Sequence, residues 1–160
     1  MLFRSDTHTT GALVVLHNIG ALIGAVWFGG LSERIGRRRA IMLAAVCALP
    51  VIPLWAYGQT PWVLALGSFL IGAAVQGAWA MVPAYLNELS PPAVRAMFPG
   101  FVYQLGNLIA SRVTPIQAGI AEARGDNYSF ALASVTVVTV LVLVGWVALG
   151  PERQGDALEG

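Results

Sequence analysis

Residues Gly29 to Arg39 read GGLSERIGRRR, and they separate two long apolar runs. Gly29 and Gly30 permit a tight exit from the first run. Gly36 permits a left-handed turn of the kind that joins one helix to the next. Glu33 and Arg34 close the first run, and Arg37, Arg38 and Arg39 open the second. An acid set among four arginines at a bilayer surface can make several charge-assisted bonds. A plainer reading of the same residues is an arginine-rich stop that only fixes topology.

The composition around this loop favours lipid as the solvent. Of 160 residues, 57% are hydrophobic and 11% charged, and the mean hydropathy is +0.71. Soluble domains carry about 25% charged residues. Spanning a hydrocarbon core takes about 20 apolar residues in helix. Five stretches meet that length, at about 11–32, 39–57, 61–86, 97–121 and 128–150. Short connectors make neighbours antiparallel, so the expected fold class is all-α, a polytopic membrane helix bundle. The apolar run after Thr10 is too long for a signal-peptide core and lacks a small-residue cleavage site. The single Cys47 excludes an intrachain disulfide and reads as a small buried hydrophobe.

Arginine placement gives an orientation. Arg34, Arg37, Arg38, Arg39, Arg95 and Arg153 fall on one side of the spans, and Arg4 and Arg124 on the other. The positive-inside rule makes the first side cytoplasmic. Residues 1–10 then form an external segment and 151–160 a cytoplasmic tail. All nine basic residues are arginine, and Ala, Gly, Val and Pro abound. That usage fits a GC-rich bacterial gene, and so the bacterial inner membrane.

Polar residues divide the spans. The first holds His17 and Asn18, the third Gln76, and the fourth Gln104, Asn107, Ser111, Arg112, Thr114 and Gln117. Buried amides and charges in a bilayer need partners or water, so these spans should face a cavity. The second and fifth lack such residues and should brace the others against lipid. Gly20, Gly24, Gly67, Gly72 and Gly77 offer small surfaces for close helix packing. Pro50, Pro53, Pro83 and Pro115 are candidate kinks.

At 100° per residue, Gly100, Gln104, Asn107, Ser111 and Thr114 share one stripe of the fourth span. A polar stripe on a membrane helix lines a pathway by default. Arg112 sits at its edge, at a cost of about 2.5–3.5 kcal/mol near the bilayer centre. No acid lies inside any of the five stretches. Its offset is therefore a substrate carboxylate, a pair with another helix, or snorkelling to the outer interface. Gln104 and Asn107 serve either as substrate hydrogen bonds or as interhelix glue. His17 is a structural hydrogen-bonding residue or a proton relay.

The spacing Gly29, three residues, Glu33-Arg34, one residue, Gly36, one residue, Arg38-Arg39 resembles the signature loop of the major facilitator superfamily. That loop joins the second and third helices of each six-helix half. YLNELSPPAVR, Tyr85 to Arg95, resembles the loop after the fourth helix of a half. The resemblance implies a charge network at the cytoplasmic face, with Glu88 pairing with Arg37 or Arg38 and Arg95 pairing with an acid. Such a network acts as a conformational latch, biasing inward-open against outward-open forms; otherwise these are solvated surface pairs.

NELSPPAVR followed by PGFVYQLGN, with Gly150-Pro151-Glu152-Arg153 after the last span, resembles the bacterial metabolite–proton symporters of the lactate and sialic acid type. This implies proton-coupled uptake of a small carboxylate. Arg112, Gln104, Asn107, Ser111 and Gln76 are then the candidate substrate contacts, and His17 a candidate for proton coupling. The five spans correspond to helices eight to twelve. The partners implied are protons, lipid and an absent N-terminal half. Three classes compete: a transporter portion, a non-transporting membrane remnant, and a membrane-embedded enzyme. The last finds no paired carboxylates, metal-ligand cluster, cofactor motif or nucleophile–base pair in the sequence. Sugars or other organic ions are the alternative cargo. Arginines held against a membrane exclude a nucleic-acid role.

Overall fold

The computed structural model describes residues 7–151; Arg4, Glu152, Arg153 and most of the expected tail lie outside them. The described residues form an all-helical bundle of α1 (Thr7–Ile35), α2 (Arg37–Ala48), α3 (Ile52–Tyr57), α4 (Pro61–Leu89), α5 (Phe98–Ala110), α6 (Val113–Ala123) and α7 (Tyr128–Leu149). A 3-10 turn, Leu49–Val51, joins α2 to α3. Four segments are long and apolar enough to cross a membrane: α1, α2–α3, α4 and α7.

Gly36 alone passes the chain from α1 into α2. Its φ of +92° lies where only glycine is unstrained. Its N–H donates to the Ser32 carbonyl at 3.0 Å, and its carbonyl accepts from Ala40 at 3.1 Å. Thr60 and Asn127 cap α4 and α7 through the backbone N–H groups of Val63 and Phe130.

The α1–α4 pair is the closest in the bundle. A Cβ on Gly20 or Gly24 would fall on the backbone of Phe69 or Ala73, and one on Gly72 would fall on the His17 carbonyl. Glycines on both helices thus let the two backbones meet, as in small-residue membrane interfaces. Phe28 fills the notch beside Gly77. Two apolar clusters continue the core. One runs through Ala45, Ala48, Ile52, Ile71, Ala74 and Val140, and the other through Phe28, Ile41, Ala44, Met81, Tyr85 and Val147.

Two expectations about the second span change. It is the most enclosed of the four crossing segments, not a peripheral brace. Its alanines at 40, 44, 45, 48 and 56 are small enough to admit α4 and α7 on one face. Cys47 lies at the edge of that face and is exposed, not buried. It turns away because its neighbours Ala44, Ala45 and Ala48 take the inner positions.

The stretch expected as one helix over 97–121 is two helices with a turn at Ser111–Arg112. Pro115 explains the break. It has no N–H to donate to the Ser111 carbonyl, and its ring crowds that oxygen. The Arg112 N–H tightens onto Ile109 O at 3.2 Å instead. Both turn residues keep right-handed helical dihedrals, so α6 resumes without reversal. Pro115→Ala is expected to join α5 and α6, read as added amide-exchange protection at residues 111–115. The second span is broken by Pro50 within its 3-10 turn and Pro53 just after it, whereas Pro83 leaves α4 continuous.

Candidate functional site

The arginine-rich turn, the last turn of α4 and the end of α7 meet at one end of the bundle. Arg37 ties them. Its Nε donates to Glu88 Oε1 at 3.1 Å, one Nη donates to the Ser32 hydroxyl, and the other lies 3.8 Å from Glu33 Oε1. The Arg37 and Glu88 side chains are 21% and 15% exposed, so their pair is largely shielded from water. Glu33 is 72% exposed and contributes little there. Of the two partners open to Glu88, the structure pairs it with Arg37.

Arg38 instead donates to the Gly150 carbonyl at 2.6 Å, and Tyr85 OH donates to the Pro151 carbonyl at 3.0 Å. These two bonds fasten the end of α7 to α2 and α4. Glu88 Oε2 is buried with no hydrogen-bond partner among the described residues. Arg34 and Arg39 are exposed, and Arg95 is half-buried in the 91–97 turn after α4. Gly29 accepts from the Ser32 hydroxyl at 2.6 Å, locking the last turns of α1.

The polar helix is arranged differently. No residue of α5 is buried, and Gln104, Asn107, Ser111 and Arg112 are all exposed. Asn107 Nδ2 donates to Gln104 Oε1 at 3.2 Å, so the two amides share one face of α5. Ser111 Oγ turns back to the Leu108 carbonyl at 2.7 Å. Arg112 stands in the turn between α5 and α6, with no acidic side chain at ion-pair distance among the described residues. Gln76 is exposed on α4, one turn from Trp79. Trp79 Nε1 donates to Tyr103 OH at 2.6 Å, and their rings sit 5.3 Å apart. That pair anchors α5 on α4 and brings the Gln76 face near the one bearing Asn107. His17, on α1, has its backbone against Gly72 and shares a cavity lining with Val113 and Gln117 of α6.

The arrangement therefore has a buttressed charged end and an outward-facing polar helix. A sequence profile described as sugar (and other) transporter matches residues 3–152. The chain belongs to this transporter family of the major facilitator superfamily, and it is a multi-pass membrane protein. It is 34% identical to the glucose transporter GlcP of Staphylococcus epidermidis, over 88% of this chain and 31% of that protein. It is also 34% identical to a carboxylic acid transporter protein homolog of Saccharomyces cerevisiae, over 88% of this chain and 25% of that protein. A probable 4-methylmuconolactone transporter of Cupriavidus pinatubonensis is 30% identical over 91% of the chain and 34% of its own length. The chain thus spans about a quarter to a third of the length of these curated relatives.

Three contacts of this transporter chain carry no signal in its sequence. Ser32 gave no signal, because a serine in an apolar run is usually a helix-satisfied hydroxyl. The Trp79–Tyr103 pair joins residues 24 apart, and nothing local links them. The Arg38–Gly150 bond ends on a backbone carbonyl, which side-chain pattern cannot reveal.

Proposed function

We propose that this chain is the C-terminal part, helices eight to twelve, of a proton-coupled transporter that takes up small carboxylates by alternating access. The observation that carries the reading is Arg112. It is an always-charged guanidinium at a helix break, beside the polar stripe and without an acidic partner among the described residues. A planar guanidinium matches a carboxylate bidentately. Gln104 and Asn107 supply amide donors and acceptors on the same helix, with Ser111 and Gln76 as further contacts.

The Arg37–Glu88 pair, with Gly29, Glu33, Arg34, Gly36, Arg38, Arg39 and Arg95 around it, is the latch of this reading. His17 is its candidate for proton coupling. The pathway is completed by an N-terminal half and a seventh helix. The bacterial inner membrane, with the arginine-rich end cytoplasmic, is its setting.

Binding tests the reading with the full transporter in membranes. Labelled lactate or sialate should be displaced by small carboxylates and not by glucose. Arg112→Ala should weaken that binding about 30- to 150-fold, the loss of a charge-assisted bidentate contact worth about 2–3 kcal/mol. Carboxylate binding unchanged by Arg112→Ala removes the proposal. A second reading has its own observation: the aromatic pair Trp79–Tyr103 beside amides Gln76 and Asn107 suits a sugar hydroxyl ring. Displacement by glucose alone, insensitive to Arg112, selects it.

A further inference from the structure

A cavity of about 480 Å³ lies between α1, α2–α3, α4, α6 and α7. It is separate from the polar stripe, since neither Gln104 nor Asn107 lines it. Its walls are apolar, with Trp55, Ile71, Val75, Val113 and Val140 among them. Thr136 and Thr139 also line it, but their hydroxyls donate to the carbonyls of Leu132 and Val135 in their own helix. The threonines therefore ask nothing of an occupant. Only His17 and Gln117 bring further polar side chains to its lining.

Water needs two to four polar partners, and almost the whole lining offers none, so the bulk of the cavity favours an apolar occupant over water. It accepts an apolar guest. Its volume falls in the range of ligand pockets, about 300–1,000 Å³. It is also open at the side: lining residues Val75 and Trp79 are 43% and 41% exposed. The opening has a cause in the packing. α5 packs chiefly on α4, whereas α6 packs on α7, leaving the gap between α4 and α6 unsealed. α7, which forms one wall of the cavity, is the least enclosed and most apolar of the crossing segments, so the medium on its side is acyl chain.

We propose that this cavity is a lipid site that takes a hydrocarbon chain of the surrounding bilayer between α4 and α6. The chain fills space that the helices leave, and it holds α6 away from α4. This inference rests on the membrane fold and family alone, so it stands or falls separately from the carboxylate reading.

The test uses the chain in phospholipid vesicles containing a lipid with a diazirine at mid-acyl chain, with adducts mapped by mass spectrometry. Lining residues Trp55 and Val140 should be labelled alongside the exposed, lipid-facing Leu141 and Trp146. Val75→Phe and, separately, Val113→Phe fill the cavity from opposite walls. Each should lower labelling at Trp55 and Val140 about tenfold, because a filled cavity offers the chain no apolar surface to bury. Labelling at Leu141 and Trp146 should not change. Wild-type adducts confined to Leu141, Trp146 and other exposed positions overturn the proposal. So does undiminished labelling at Trp55 and Val140 in whichever filled variant keeps the wild-type melting temperature.

Discussion

Gly24→Leu is expected to abolish the folded bundle, whereas Gly11→Leu should leave it intact. At Gly24 even a first side-chain carbon would overlap the Ala73 backbone, and Gly20 stands the same way against Phe69. Backbone atoms cannot rotate aside as a side-chain tip can. The helices must separate, which forfeits the contacts of the whole α1–α4 seam. Overpacking a well-packed core costs about 1–3 kcal/mol and sometimes more, and a rigid backbone neighbour puts this case at the upper end. The forfeited seam contacts add to that figure, and the sum approaches the ~5–15 kcal/mol that holds a domain folded. Gly11 has nothing within 4 Å of an added Cβ, so it is the matched control on the same helix. Monodisperse yield on size exclusion, with a thermal melt, reads the difference. Equal yields for both variants would refute close α1–α4 packing.

The second large effect is expected at Arg37. Arg37→Ala leaves the Glu88 carboxylate in a largely shielded site from which its Oε1 partner has gone. Breaking a buried pair from one side costs about 3–5 kcal/mol, and at 15–21% exposure the lower figure applies. The loss falls at the end where α1–α2, α4 and α7 meet. It should therefore appear as a shift in conformational balance and slowed transport, with substrate affinity retained. Glu88→Ala removes the stranded charge and should be milder in melting temperature while slowing transport to a similar extent. Cysteine accessibility at the two ends of the bundle reads the balance. If both variants keep the wild-type balance and rate, the pair is a structural brace and not a latch.

Particular residues show what was legible. Gly36 was readable because only one residue separates Glu33-Arg34-Ile35 from the arginines, and a turn that short needs positive φ. The glycines of α1 and α4 were readable because bare backbone in a membrane helix has little other use than close approach. The break at Ser111–Arg112 was readable in principle from Pro115, four residues on. The polar stripe argued more strongly for continuity, and a periodicity of 100° per residue survives a turn that keeps helical dihedrals.

The enclosure of α2–α3 ran against hydropathy for a physical reason. In lipid, an apolar surface costs nothing, so hydropathy cannot distinguish a lipid-facing helix from a buried one. Side-chain size decides instead, and the row of alanines was the unread signal. The apolar cavity and the Trp79–Tyr103 pair depend on how helices distant in sequence diverge, which no local pattern encodes.

The most direct measurement of the central claim is uptake of labelled lactate or sialate into vesicles bearing the full transporter, with and without an imposed pH gradient. Accumulation that requires the gradient, and that Arg112→Ala abolishes, is the expected result. Gradient-independent entry of neutral sugars with no carboxylate uptake, unchanged by Arg112→Ala, would contradict it.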